Sequence, residues 1–351
     1  MVYHAGNMER TPAVGSGWLL FSSPAAARLS LRNRPVPSRM LAVAEHGYSL
    51  RFSNPSLGVE WCAAAADACT GQLAASLQGQ ILGYYANSLR VVGRYEESRE
   101  VVERALGMLP GEPLLLEFKG SLLRDLRQLD EASDCLFSAS QMRKAAGDVA
   151  GYARTILTTA QVMDIAGQSR EAASFCLKAL DVLNAQDDPT RHLARTAVQN
   201  YAGFLCNAGK PLDALTVLRT SEPMLEGGGP FFELRVEWLY GKIASALHDK
   251  SAECQLISVR EKLADGGLFQ EAALATLDLA RHYGRQKDPR ASSVALSVAP
   301  LLHSMGIEPD AKEAELLSQI AQADAETTNI EPLISELYAA IALRPQVRQV
   351  A

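Results

Sequence analysis

Three consecutive glycines, Gly227-Gly228-Gly229, are the part of the sequence that comes nearest to a phosphate-binding loop. Such a loop holds phosphate oxygens with its backbone N–H groups, and it follows a strand and leads into a Lys and a Ser or Thr. Neither the strand nor the Lys or Ser accompanies these glycines. We therefore interpret the segment as a flexible connector between helices.

The histidines and cysteines, which supply most metal ligands and nucleophiles, are scattered along the chain. No cysteine pair has the two-residue spacing of a zinc or redox motif, which favours a reduced compartment. Cys62 and Cys69 stand seven positions apart on one helical face, a spacing typical of a core. The six histidines show no ligand spacing: His4, His46, His192, His248, His282 and His303. The sequence predicts no metal site and no cofactor.

Familiar catalytic signatures are absent from the sequence. It contains no GxSxG, HExxH or GxGxxG motif, so we predict a protein that is not an enzyme and has no catalytic residues. Lys and Arg number 34 against 40 Asp and Glu, a formal net charge of −6, which argues against direct nucleic-acid binding. No apolar run approaches the ~18–20 residues of a membrane span.

Four turn-like segments recur along the chain and begin at Gly93, Arg127, Gly167 and Gly209. Their starts are separated by 34, 40 and 42 positions (127 − 93, 167 − 127, 209 − 167). A period in this range is typical of a solenoid built from helix hairpins. The glycines suit the positive φ of a helix C-cap.

Small residues stand at fixed distances from each turn. Seven positions before the turn are Ala86, Gly120, Ala160 and Ala202, and five positions after its start are Ser98, Ala132, Ala172 and Ala214. Two antiparallel helices approach closely only where the side chains at their crossing are small. We therefore expect Ala160 and Ala202 to be almost fully buried at helix crossings.

The first repeat resembles a complete tetratricopeptide repeat. The matching positions are Leu82, Tyr85, Ala86, Leu89, Gly93, Tyr95, Ser98, Val102, Ala105 and Pro110. It departs at Leu82, where the family has Trp, and at Ser98, where it has Ala. The resemblance implies an all-α fold, an α-solenoid of about eight antiparallel helix hairpins in a right-handed superhelix. Segments around Trp238 and Leu277 also resemble bacterial arrays that often follow a DNA-binding or zinc-finger-like segment, and neither segment is found in this sequence.

The solenoid is predicted to span residues 37–343. The clearest repeats are 79–112, 113–146, 153–186 and 195–228, and the degenerate pairs are 38–70, 231–265, 268–305 and 309–343. Residues 1–36, rich in Pro, Gly and Arg, are predicted to be a disordered tail or to precede the true start at Met40. Residues 344–351 are predicted to be a C-terminal tail. The apolar run near Phe21 is too broken for a signal peptide, so we expect a cytoplasmic protein.

The resemblance also implies which residues face the concave groove. Amides and arginines dominate them: Gln80, Asn87, Arg90, Glu117, Ser121, Arg124, Arg154, Gln161, Gln199 and Asn207. Asn and Gln can pair with a peptide backbone, and Arg offers a planar fork to carboxylates. The alternative is that these are ordinary solvated residues.

A carboxylate clamp known from chaperone-binding members of the family does not fit. It needs Lys and Asn where this chain has Gly83 and Phe118, and Arg where it has Thr158. We therefore expect a scaffold that binds a protein or peptide segment in its groove. The alternative is a ligand- or peptide-sensing module that acts on a transcription regulator in trans. The oligomeric state is left open.

Overall fold

The computed structural model describes residues 21–69, 73–183 and 191–325, and these ranges contain helices and no strand. The helices are α1 (Pro24–Asn33), α2 (Pro37–Ser49), α3 (Pro55–Ala66), α4 (Ala75–Val91), α5 (Tyr95–Met108), α6 (Pro113–Asp125), α7 (Leu129–Ala145), α8 (Val149–Ile165), α9 (Ser169–Val182), α10 (Arg191–Asn207), α11 (Pro211–Thr220), α12 (Glu222–Leu225), α13 (Pro230–Ala246), α14 (Ala252–Asp265), α15 (Phe269–Arg285), α16 (Arg290–Ser304) and α17 (Glu308–Ala325). The predicted all-α solenoid of helix hairpins is confirmed.

Consecutive helices pack as hairpins: α2 with α3, α4 with α5, α6 with α7, α8 with α9, α10 with α11, α13 with α14, and α15 with α16. The partner predicted for α17, at 330–343, lies outside the described residues, as does the tail at 344–351. Within the described ranges, none of the helices combines the length and the apolar character needed to cross a bilayer.

The prediction of a tail over residues 1–36 is wrong for residues 24–33, which form α1. Ser23 caps this helix, because its Oγ accepts a hydrogen bond from the N–H of Ala26 at 3.2 Å. Only Ala27 and Leu31 are buried, and they join the main core. Two core positions are too few to produce a visible helical period. Residues 1–20 lie outside the described residues.

The small residues predicted at the helix crossings are buried there. Ala160 and Ala202 have no exposed surface, which confirms the expectation. At Gly120, an added Cβ would come within 2.8 Å of Leu136 Cγ, so the helices are as close as a glycine allows. Ser98 departs from the usual Ala because its hydroxyl donates a hydrogen bond to the carbonyl of Ala86 at 2.8 Å. The hydroxyl therefore adds a bond across the crossing without adding bulk.

A positive φ ends the first helix of each clear repeat, as the glycines predict. It is 78° at Gly93, 83° at Gly167 and 79° at Gly209. The remaining turn has Arg127 at 62°, in the left-handed region where a side chain costs roughly 1–2 kcal/mol. His248 and Lys287 end α13 and α15 in the same conformation.

The solenoid returns on itself, so that early hairpins contact helices that come much later in the chain. The guanidinium of Arg127 binds both carboxylate oxygens of Asp310, 183 positions away, at 2.7 and 3.0 Å. The rings of Phe52 and Phe231 stack with their centroids 4.4 Å apart. One apolar core cluster joins residues between 27 and 126 to residues between 273 and 314. These contacts explain why Arg127 occupies a glycine conformation, since its side chain closes the superhelix.

Replacing Ala160 with Leu should overpack the crossing and destabilise the protein by ~1–3 kcal/mol. Chemical denaturation measures the loss, with Ala42→Leu as a control at an exposed position of α2. Equal stability of the two variants would place the crossing elsewhere.

The Arg127–Asp310 pair should be strongly coupled, because its side chains are only 9% and 4% exposed. Asp310→Ala should cost about 3–5 kcal/mol, since it leaves a buried guanidinium without its carboxylate. Arg127→Gly combined with Asp310→Ala should lower the free energy of unfolding by less than the sum of the two single substitutions.

The exposed pair Lys262–Glu237, with its Nζ and Oε2 atoms 2.6 Å apart, is the matched control for this double-mutant cycle. Its coupling should stay below about 1 kcal/mol. Additive effects at Arg127 and Asp310 would show that the pair does not close the superhelix.

Candidate functional site

An interior cavity of about 450 Å³ lies where several first helices end. The C-terminal ends of α8 and α10, the inner faces of α13 and α15, the Arg127 turn and the start of α17 surround it. The residues that line it are Arg127, Asp164, Ile165, Cys206, Asn207, Trp238, Lys242, Ser245, Ala246, Leu256, Leu274, Asp278, Arg281, Arg285 and Asp310. We call this space the interior cavity.

The solenoid register places these polar residues. Six positions before the positive-φ residue of a turn, the side chain faces the superhelix interior, as at Gln161. The same offset before His248 and Lys287 gives Lys242 and Arg281. The hairpin repeat therefore brings cations of separate helices to one wall of the cavity.

Asp278 is the central carboxylate of that wall. Trp238 Nε1 donates to it at 3.0 Å and Arg281 Nη1 at 2.6 Å, while Lys242 Nζ lies 4.0 Å away. Burial opposes its ionisation, but the charges of Lys242 and Arg281 outweigh burial and hold the pKa of Asp278 below its usual range. Arg281 also binds Glu313 at 2.6 and 2.7 Å. Arg281 is therefore bound to two carboxylates, and Asp278 has two partners at hydrogen-bond distance.

Lys242 and Arg285 have no such partner among the described residues. Lys242 reaches no carboxylate oxygen more closely than the 4.0 Å to Asp278. Arg285 donates to the neutral Oγ of Ser245 at 2.6 Å, and Ser245 in turn bonds His282 Nδ1 at 2.8 Å. Burial lowers the pKa of Arg285 despite the nearby charge of Asp278. These two cations are therefore available to an anionic group in the cavity.

Four of the predicted groove residues form a cluster around a second carboxylate, Asp125. Arg90 and Arg124 both bind Asp125, and Arg124 also donates to Gln161 on α8. Burial opposes ionisation of Asp125, yet the two guanidinium groups keep its pKa below its usual range. Asn87 accepts a bond from Arg90 Nε at 2.8 Å. This cluster joins α4, α6 and α8, and its two arginines are already bound to a carboxylate of the protein itself.

Glu117 forms a third cluster with Arg143 and Arg154. Glu117 Oε2 accepts from Arg143 Nη2 at 3.0 Å, and Oε1 accepts from Arg154 Nε at 2.6 Å. Arg143 also binds Asp148 at 2.6 Å. The predicted groove residues Glu117 and Arg154 therefore tie α6 to α8.

The remaining predicted residues are dispersed. Gln80 donates to Tyr84 Oη at 3.4 Å, and Ser121 is half-buried on α6. Gln199 is buried, and its Oε1 has no partner among the described residues. Asn207 donates to Asp164 at 2.8 Å and is the predicted residue that lines the interior cavity. That the predicted set binds a partner stays a prediction.

Sequence analysis missed the cations and carboxylates of the cavity wall. Lys242 and Arg281 occupy the groove position of their repeats, so extending the register into 231–265 and 268–305 would have found them. The signal is weak there because the turns carry His248 and Lys287 instead of glycine. In the described residues, no three His, Cys, Asp or Glu side chains converge as metal ligands.

Known structures resemble this fold. A solved structure of a Rap protein complexed with Competence and Sporulation Factor aligns over 88% of this chain and 88% of its own, with a TM-score of 0.65 and 14% sequence identity. The likeness supports a tetratricopeptide-like helical repeat. No family model and no curated protein matches the sequence.

Stability should fall in acid because Asp125 and Asp278 have lowered pKa values in the folded state. Their ionised forms contribute stability above the unfolded pKa of about 3.9, and the contribution is lost as pH falls through the folded values. Urea midpoints measured from pH 7 to pH 2.5 should drop most steeply below pH 4.

Asp125→Asn should be less stable at pH 7 and should lose less on acidification than the wild type. The exposed Asp134→Asn is the control for removal of one carboxylate from the surface. An Asp125→Asn midpoint that falls as steeply as the wild-type midpoint would contradict the assignment.

Proposed function

We propose that this chain is a non-enzymatic binding protein that holds a protein or peptide segment inside its superhelix, at the interior cavity. The observation that carries the proposal is the pair Lys242 and Arg285, two cations on the cavity wall without a closely bound carboxylate among the described residues. Lys242 is half-buried and Arg285 is exposed, so both cations are accessible to an anionic group of a ligand that enters the cavity.

The likeness to a Rap protein complexed with Competence and Sporulation Factor is consistent with a binding function. The net charge of −6 and the mixed charges of the cavity favour a protein or peptide over nucleic acid. A cytoplasmic location stays a prediction.

The position of the cavity favours a second candidate, the sensing module. Arg127 and Asp310 line the cavity and also close the superhelix, so a segment bound there touches both sides of the closure. A ligand shifts a conformational equilibrium when it binds one state more tightly than the other. Action on a transcription regulator in trans stays a prediction.

Arg90, Arg124 and Arg154 are poor positions for testing the proposal. Each is bound to a carboxylate of the protein itself, so reversing its charge would disrupt internal ion pairs. Lys242 and Arg285 form fewer close ion pairs with carboxylates of the protein. Substitutions there separate binding from folding.

A crosslinking pull-down from native lysate should capture a partner with wild type and lose it with Lys242→Glu combined with Arg285→Glu. Introduced carboxylates would repel an anionic group and remove its donors. The matched control is Lys178→Glu with Arg219→Glu, on exposed faces of the second helices α9 and α11.

Equal capture by the two double variants would exclude the interior cavity as the binding site. Hydrogen exchange at the Arg127 turn, with and without the captured partner, tests the sensing candidate. Unchanged exchange there would favour the plain scaffold.

A further inference from the structure

The inner face of α13 carries a row of cations that points to the chemistry of the ligand. Arg235 and Lys242 stand seven positions apart, which is close to two helical turns and about 10.5 Å along the helix axis. Arg285 joins the row next to Lys242, because it binds Ser245 on the following turn of α13. The row thus has two ends, Arg235 at one and Lys242 with Arg285 at the other.

Arg235 forms no ion pair among the described residues. Its Nη2 donates to Asn200 Oδ1 at 3.3 Å. Burial, together with the positive charge of Arg124, lowers its pKa, and the carboxylate of Glu271 acts on it only at a distance. Arg235 is half-buried, and a guanidinium that is partly withdrawn from water is stabilised when a negative charge binds it. The Arg235 end of the row therefore has a positive charge without a bound carboxylate among the described residues.

Asn200 supplies an independent observation at the same place. It is only 3% exposed, and its Nδ2 has no hydrogen-bond partner among the described residues. Its Oδ1 already accepts from Arg235, so the amide holds the guanidinium and leaves its own N–H group free. A carboxylate oxygen placed between them would accept from both groups.

The Lys242 end of the row lies near both carboxylates and other cations. Asp278 is the nearby carboxylate, and Arg281 and Trp238 already bind it. Around it, the three cations Arg281, Lys242 and Arg285 face the two carboxylates Asp278 and Glu313, which leaves one positive charge in excess. Asp164 also lines the cavity. Arg235 and Lys242 stand about 10.5 Å apart along the axis of α13, so two anionic groups at a similar separation could each bind one end of the row.

We propose that the segment held in the interior is acidic and extended, and that it carries two carboxylates three residues apart. One carboxylate binds Arg235 and Asn200, and the other binds Lys242 and Arg285. An extended chain in the polyproline II conformation has three residues per turn and rises about 3.1 Å per residue, so side chains three residues apart share one face about 9 Å apart, close to the spacing of the row. The inference rests on the proposed binding function and names its ligand class.

Amide groups along the interior favour an extended ligand over a helical one. Asn200 Nδ2, beside Arg235, is buried without a partner among the described residues, and Asn207 lines the cavity. An extended peptide offers unpaired backbone N–H and C=O groups to such amides, whereas a helix satisfies its own.

Selection from a random dodecapeptide display library on the full chain tests the proposal. Enriched peptides should share two Asp or Glu residues with two residues between them. Synthetic copies should bind more weakly at high salt, because the contacts are ionic. Arg235→Gln and Lys242→Gln should each weaken binding on the order of tenfold, the loss of one charge-assisted contact.

Lys178→Gln, on the exposed face of α9, is the matched control and should leave affinity unchanged. Arg235→Lys keeps the charge and should bind better than Arg235→Gln, which separates loss of charge from loss of fold. Repeating the selection on Lys242→Glu should enrich peptides with Lys or Arg in place of one acidic residue.

Three results would overturn the inference in distinguishable ways. Enriched peptides without acidic residues, whose binding is lost in Lys242→Glu with Arg285→Glu, would remove the acidic class and keep the proposed function. Acidic residues seven positions apart would replace the extended ligand with a helical one. Absence of enrichment in the selections on the wild type and on Lys242→Glu would count against the proposed function itself.

Discussion

A charge that leaves water needs an opposite charge, and this constraint shapes the inside of the superhelix. Asp125 and Glu117 bind arginines from neighbouring helices, and Arg281 of α15 binds Asp278 of its own helix and Glu313 of α17, so ion pairs tie neighbouring helices together. Arg127 and Asp310 extend the same rule across the full turn of the solenoid. Where the pairing is complete the interior is structural. Lys242, Arg285 and Arg235 lack a close carboxylate among the described residues and are half-buried or exposed, so a group from outside can reach them.

The hairpins themselves depend on local rules, which is why sequence reasoning located them. Small residues at the crossings and glycines at the turns act within about forty residues, and the buried Ala160 and Ala202 follow from that spacing. The same rules did not locate α1, because a ten-residue helix with two core side chains carries little periodic signal. Its burial depends on residues of α2 and α3, outside its own segment.

The candidate site was much harder to predict for a physical reason. The repeat register identifies which residues face inwards, but it does not say which of them are already neutralised. Arg90 and Arg124 have the expected position, yet both bind Asp125, a residue of the same groove. Lys242 has the same register and no close carboxylate, a difference set by packing between helices that are distant in sequence. Pairing of this kind is visible only in three dimensions.

The closure of the superhelix has a consequence for how the chain is made. Arg127 and Asp310 are separated by 183 positions, and the core around Leu126 is completed by residues beyond 273. At roughly 5–20 residues per second, a ribosome adds those positions over about 10–40 s. During that interval the first hairpins stand without the surface that finally covers them. A chaperone that shields this apolar face during translation would therefore be of most use to the protein before its last hairpin has emerged.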